Sequence, residues 1–295
     1  MPENAPAMPP DRFLVRYWGV RGSIATPGPE TARYGGNTSC VEVQCGDQVL
    51  ILDGGTGIRL LGNDLLKRAK ARADVVRATI LFTHLHWDHI QGFPFFAPAF
   101  VRGTELDFWS EHRIEVTLFD VLRGHMAQPT FPVNMDDMAA TMRFHVVERD
   151  GSFDLGPVHV RTAPLNHPGG ATAYRIEYAG KSFVHATDHE HPADGSIWEP
   201  LRKLADGANV LDYDATYTNG EYHGDRGMSH VGWGHSTWQE AVRMAQAAKV
   251  RRLVIFHHDP DHSDEQLDRI AVEAKEGHGD TVVAYEGLEL DLLAD

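Results

Sequence analysis

Cysteine is nearly missing from this 295-residue chain: Cys40 and Cys45 are the only two, and their spacing matches neither a zinc knuckle nor a redox pair. A disulfide-stapled scaffold is therefore excluded, and a reducing cytoplasm is the expected setting. Long apolar runs are missing too. The uninterrupted ones span a few residues, Val49–Leu52 among them, against the ~20 that a bilayer crossing needs, so no membrane partner is expected. Positive charge is scarce: 27 Lys plus Arg face 42 Asp plus Glu, a net charge of -15. Such a chain repels a polyanion unless its basic residues are segregated, which disfavours long nucleic acids. Met1–Asp11 holds four prolines and two acidic residues but no basic or apolar stretch, so it reads as a disordered tail over 1–11 and not as a secretory signal.

What is present is an ordinary globular composition, 42% hydrophobic and 23% charged, expected to form a single domain over 12–295. Alternating apolar residues mark strands at Phe13–Trp18, Ser39–Gln44 and Gln48–Asp53, the last two joined as a hairpin by Gly46-Asp47. Ile58, Leu60, Leu61, Leu65 and Leu66 recur at helical spacing within Thr56–Ala71. Further strands are expected at Ala78–Phe82, Thr141–Val147, Val158–Ala163, Thr172–Tyr178 and Lys181–His185. In the last third, helices at Ile197–Ala205, Thr237–Lys249 and Asp264–Glu276 alternate with strands at Asn209–Tyr213 and Arg252–Phe256, and Thr281–Ala284 with Leu288–Leu292 reads as a closing hairpin. Strands and helices fall in two similar halves, which predicts an α/β fold of two mixed sheets packed face to face with helices outside, an αββα sandwich.

One count is abnormal. There are 18 histidines, and neutral imidazole is both a metal ligand and a near-neutral acid or base. Thr83-His84-Leu85-His86-Trp87-Asp88-His89 puts four potential ligands within six residues, directly after an expected strand. An extended stretch sends His84 and His86 to one side, and a turn carrying Asp88 and His89 presents them to a neighbouring point. Two metal ions are implied, in the dense nitrogen-and-oxygen arrangement of metal-assisted hydrolysis.

The pattern His-x-His-x-Asp-His resembles the metallo-β-lactamase superfamily, and the resemblance runs through most of the chain. It implies that His84, His86 and His167, the last in Asn166-His167-Pro168-Gly169, bind one metal. Asp88, His89 and His257 would bind the other, with Asp188 of Ala186-Thr187-Asp188 bridging. The donors suit zinc, with manganese or iron as alternatives. His258 competes with His257 for the last position, and pleat geometry favours His257. A water held by two cations becomes hydroxide near pH 7, so hydrolysis is the expected reaction.

Gly234-His235-Ser236-Thr237 and Asp214-Ala215-Thr216 resemble the ribonuclease Z branch, with Asp in place of Glu at 214. By that resemblance His235, oriented by Asp214, serves as general acid, and the catalytic set is Asp88, His235 and Asp214. Ribonuclease Z carries a long tRNA-gripping arm between its third and fourth motifs, whereas twenty residues separate His167 from Asp188 here. A small phosphodiester, such as a cyclic nucleotide or a short oligonucleotide, is therefore the expected substrate. A lactone, thioester or β-lactam hydrolase on the same centre is one alternative, and a non-catalytic metal-containing sensor another. Softer features keep two readings each. Arg33–Ser39 forms either backbone nests or tight turns. Phe93–Pro98 is core, or else a pocket wall or homodimer contact. His185, His189 and His191 either support the site or lie in a solvated loop, and the loop carrying His223 and His230 is a lid candidate.

Overall fold

Alternating burial along Phe13–Gly19 makes it β1, one face turned inward and the other carrying Arg16 and Trp18. The computed structural model describes residues 12–111, 116–225 and 227–294, so the tail expected over 1–11 lies outside the described residues. The first sheet continues with β2 (Cys40–Cys45), β3 (Gln48–Leu52), β4 (Arg77–Leu81), β5 (Glu105–Glu111) and β6 (Thr141–Val147). The second holds β7 (Ser152–Leu155), β8 (Val158–Leu165), β9 (Ala171–Tyr178), β10 (Lys181–Ala186), β11 (Val210–Asp214), β12 (Arg252–Phe256) and β13 (Thr281–Val283), after which β14 (Glu289–Asp291) returns to the first sheet. The strand orders are β14-β1-β2-β3-β4-β5-β6 and β13-β12-β11-β10-β9-β8-β7, each partly parallel and partly antiparallel.

Three apolar layers follow from this arrangement. Between the sheets, Val15, Tyr17, Val43 and Leu52 meet Val160, Ile176, Phe183 and Phe256. Outside the first sheet, α1 (Ile58–Ala71), α2 (Trp87–Ile90) and α3 (Leu118–His125) contribute Leu61, Ile90 and Leu122 to a cluster with Phe82 and Phe108. Outside the second, α4 (Glu199–Ala205), α6 (Trp238–Ala247) and α7 (Asp264–Gly277) cover Val184, Leu211 and Ile255, while α5 (Asn219–His223) heads the loop toward His235. The αββα sandwich is the observed fold. Both cysteines are buried and free. Among the described residues no helix is long and apolar enough to cross a membrane.

One expectation fails. The last two strands are not a hairpin: β13 pairs with β12 in the second sheet and β14 with β1 in the first. The intervening turn crosses the sandwich, held where Tyr34 and Tyr17 carbonyls accept the amides of Glu286 and Gly287. Apolar alternation shows which face is buried but not which sheet buries it, and Ala284 and Leu288 both enter the same inter-sheet core. Five further elements, β5, β7, α2, α3 and α5, were not anticipated as strands or helices. The signal for α3 was Thr117-x-x-Asp120, which forms a capping box at its start.

Candidate metal centre

Strand direction gathers the site. β4, β8, β10, β11 and β12 all run toward one edge of the sandwich, where Thr172 N–H donates to the Thr83 carbonyl and links the two sheets. Each strand then delivers a side chain just past its C-terminal end: His84 after β4, His167 after β8, Asp188 after β10, and His257 after β12, with Asp214 as the last residue of β11. Three groups of side chains there could hold a metal ion, within each of which the ligand atoms lie within 4.8 Å of one another: His84, His86, His167 with Asp188; Asp88, His89, His257 with Asp188; and Asp188, Asp214, His235, His257.

In the first group His86 Nδ1 and His167 Nε2 are 3.0 Å apart, and His84 Nε2 lies 3.5 Å from Asp188 Oδ2. In the second, Asp88 Oδ2 is 3.3 Å from His89 Nε2 and 3.2 Å from His257 Nε2, and Asp188 Oδ1 is 3.3 Å and 3.1 Å from the same two nitrogens. Asp188 thus faces both groups through different oxygens. His258 goes elsewhere, its buried ring donating through Nε2 to the Ala284 carbonyl at 2.8 Å.

The protonation pattern suits a cation. Burial holds His84, His86 and His167 below the ordinary imidazole pKa, that is, in the neutral, ligating form. For Asp88 and Asp188 burial opposes ionisation, but the surrounding histidines outweigh it and keep both carboxyls ionised. His89 is raised because Asp88, Asp188 and Asp53 overcome burial. His84 Nε2 and His89 Nε2 are buried with no hydrogen-bond partner. Buried polar atoms are rarely left so, and nitrogens facing ionised carboxylates form the donor set a divalent ion accepts, with His89 giving up to solvent the proton that the carboxylates otherwise hold on it.

His235 sits over this cluster, its Nδ1 donating to Asp214 Oδ2 at 2.9 Å and lying 3.8 Å from Asp188 Oδ2. Burial favours the neutral ring, but Asp214, Asp188 and Asp88 outweigh it and raise the pKa to about 9. Asp214 also serves as the turn former: its Oδ1 accepts from Thr216 Oγ1 at 2.8 Å, and Thr216 Oγ1 is in turn 3.1 Å from His257 Nδ1.

Several positioning residues escaped the reading of the sequence. Asp53, buried at the end of β3, accepts from Thr83 N–H at 2.8 Å and from His89 Nδ1 at 2.7 Å, the carboxylate-histidine support found behind metal ligands. Its signal was a carboxylate between an apolar strand and Gly54-Gly55. Glu190 accepts from the amides of Gly232 and Gly234 and from Tyr222 Oη, fixing the loop before His235. The Gly234 carbonyl accepts from His167 Nδ1 at 2.8 Å, and a Cβ at 234, where φ is +89°, would strike that ring. His257 itself has a φ of +61°, and a Cβ on Gly22 would come within 2.5 Å of its ring. Ser23 N–H donates to Asp88 Oδ2 at 2.7 Å.

Several of the softer features take a definite place as well. The amides of Arg33, Tyr34 and Asn37 are taken by Asp264 and Glu286, so Arg33–Ser39 is a structural turn region. Phe93 and Phe96 are core, whereas Phe95 is exposed. His185 and His189 are buried, His185 donating to Asp212 and His189 accepting from Asn166 N–H, and His191 lies 2.9 Å from Ser236 Oγ. His230 stacks on Tyr217.

A family model described as a Beta-lactamase superfamily domain matches residues 49–258. The chain belongs to the metallo-β-lactamase superfamily. This superfamily member is a metal-dependent hydrolase. It is 24% identical over 242 residues to the Ribonuclease Z of Exiguobacterium sibiricum, covering 68% of this chain and 76% of that one. The metallo-beta-lactamase fold protein YhfI of Bacillus subtilis shares its fold with a TM-score of 0.69 at 19% identity, over 95% of this chain and 99% of that one. Zn(2+)-bound PqqB from Methylobacterium extorquens gives a TM-score of 0.68 at 16% identity, over 94% of this chain and 99% of that one.

Proposed function

We propose that this hydrolase holds two divalent cations, zinc being the ion its nitrogen and carboxylate donors suit, and hydrolyses small phosphodiesters. His84, His86 and His167 would take one ion, Asp88, His89 and His257 the other, and Asp188 would lie between them. Bound there, the cations supply Lewis acidity toward a phosphoryl oxygen and acidify a water. The observation that carries the phosphodiester reading is His235, whose Nδ1 is committed to Asp214 at 2.9 Å. Nε2 is then the nitrogen that gives its proton to a departing alkoxide, a step a poor leaving group requires and a strained lactam does not. Asp214 fixes the ring's tautomer and direction, and together with Asp188 and Asp88 it favours the protonated ring. Asp53 does the corresponding work behind His89.

The name Ribonuclease Z points to the same bond type, but two observations favour a small substrate. The interval from His167 to Asp188 is filled by β9 and β10, which leaves no chain for a gripping arm. The net charge of -15 opposes a long polyanion. The test is a panel run on metal-loaded protein with an aryl phosphodiester, a lactone, a chromogenic β-lactam and a precursor tRNA. Turnover of the phosphodiester alone is expected. Activity confined to the lactone or lactam would overturn the phosphodiesterase reading, and efficient tRNA 3′ cleavage would overturn the size limit.

A further inference from the structure

Beside the proposed metal centre lies a cavity of about 540 Å³ whose lining includes His84 and His86. Its walls are Leu85, Leu118, Phe119, Val121, Phe144 and Val146. A space of this size accommodates a substantial organic group, since ligand pockets typically run ~300–1,000 Å³. Val146 is 67% exposed and Val116, also in the lining, 43% exposed, apolar surface that a bound group would cover.

Among the described residues, the polar side chains of the wall are mostly engaged with the protein. Thr83 is bound to Asp53, Thr117 Oγ1 donates to Asp120, Glu111 accepts from Thr172, and His145 is 2.8 Å from Asp107. The Gly170 amide turns back onto the His167 carbonyl. Ser110 adds one small hydroxyl. A nucleobase is read through its hydrogen-bonding edges, and burying those edges against such a wall leaves them unsatisfied. His235 is not part of the lining, so the group lodged here is not the one that His235 protonates.

We propose that the cavity takes an apolar alkyl or aryl group esterified to the phosphorus and retained on it, so that the preferred substrate is a phosphodiester with one lipophilic substituent; this rests on the phosphodiesterase reading above. In the reaction a water oxygen bonds to phosphorus and the bond from phosphorus to the other ester oxygen breaks. That alkoxide leaves as the alcohol with the proton from His235 Nε2, one proton of the attacking water is given up to solvent while His235 takes one back from it, and the lipophilic group departs as its phosphomonoester monoanion, which keeps the water's second proton.

Metal-loaded full-length protein is assayed on p-nitrophenyl phosphodiesters that share the leaving group and differ in the retained one: methyl, butyl, hexyl, phenyl and thymidin-5′-yl. We expect kcat/KM to rise about fourfold per methylene, in line with burial of a CH₂, and the hexyl ester to exceed the thymidinyl ester by about tenfold or more. Val146→Glu, at an exposed position the fold tolerates, should flatten the chain-length dependence. Calorimetry on the same sample should show hexyl phosphate binding more tightly than methyl phosphate. A flat series, or preference for the thymidinyl ester, overturns the cavity assignment while leaving the phosphodiesterase reading in place. If no diester is turned over, that reading fails and the calorimetry decides alone: equal affinities overturn the cavity, and a chain-length dependence supports it.

Discussion

The two halves of the proposed centre use similar ligands but are propped differently. Around His84, His86 and His167 the supports are neutral: the Thr83 hydroxyl 3.1 Å from His84 Nδ1 and the Gly234 carbonyl at His167 Nδ1. His86 is exposed. Around Asp88, His89 and His257 everything is buried, and the support for His89 is the carboxylate of Asp53. A carboxylate behind an imidazole raises its basicity and fixes its ring more firmly than a carbonyl does. Similar first ligands therefore do not imply equal grip, and the open half, which adjoins the cavity, should exchange its ion sooner.

The harshest way to break the contrast is to remove what both halves share. Asp188→Ala should reduce about two metal ions per chain to fewer than one and lower kcat by about 10³-fold or more, read by elemental analysis after desalting and by phosphodiester turnover. Retention of two ions would remove Asp188 from the bridging position. Next comes His235, the group proposed to serve chemistry without belonging to either half. His235→Ala should keep its metals and lose about 10²-fold or more in kcat on an alkyl leaving group, and much less on nitrophenolate. Equal losses on both would argue against proton donation.

Asp53→Asn addresses the contrast directly. It should weaken one ion by about 10- to 100-fold and leave the other where it was, seen as a displaced step in competition with a chromogenic chelator. His86→Ala should displace the other step. A uniform shift in either variant would mean that the halves are not separately supported.

The smallest effect tests whether the His235 loop is anchored apart from both halves. Glu221, on α5, is 3.1 Å from His262 Nε2 and accepts from Gln266 of α7 at 3.0 Å. Burial opposes its ionisation, but His262 and the Thr218 bonds outweigh it and lower the pKa to about 2. Being depressed below an unfolded value of ~4.3, it stabilises the fold fully above that pH, and the contribution fades as pH falls toward 2. The carboxylate is partly exposed, so screening holds the contribution to about 1 kcal/mol or less. Glu221→Gln should lower Tm slightly at pH 7, with the gap to wild type narrowing below ~pH 4 and metal content unchanged.

Legibility in the sequence followed how local each signal was. The His84–His89 cluster needed no fold to be noticed, and β12 matches its expected span residue for residue at Arg252–Phe256. His167, Asp188 and His257 became legible through the resemblance to the superfamily, whose later motifs each follow an apolar strand. Asp53 did not, since its relation to His89 is made by β3 and β4 lying parallel, and nothing in the spacing of the two residues encodes it. Glu190 was hidden for another reason: its partners are the backbone amides of Gly232 and Gly234, and backbone groups leave no trace in residue identity. The missed crossing between β13 and β14 belongs to the same class, because a five-residue connection is compatible with one sheet or two.

The buried thiols supply a stopwatch. Cys40 and Cys45 stand at opposite ends of β2, and burial pushes Cys45 up to about 12 and Cys40 well above the usual thiol range. With so little thiolate, a disulfide-exchange reagent meets each sulfur only when that end of the strand lifts from its neighbours. Cys40 follows Ser39, whose hydroxyl donates to Asp53 at 3.3 Å, so its labelling rate times the opening of the catalytic edge. Cys45, at the other end of the same strand, times the sandwich as a whole, and the difference between the two rates in the presence and absence of a chelator measures how far bound metal clamps the edge proposed to hold it.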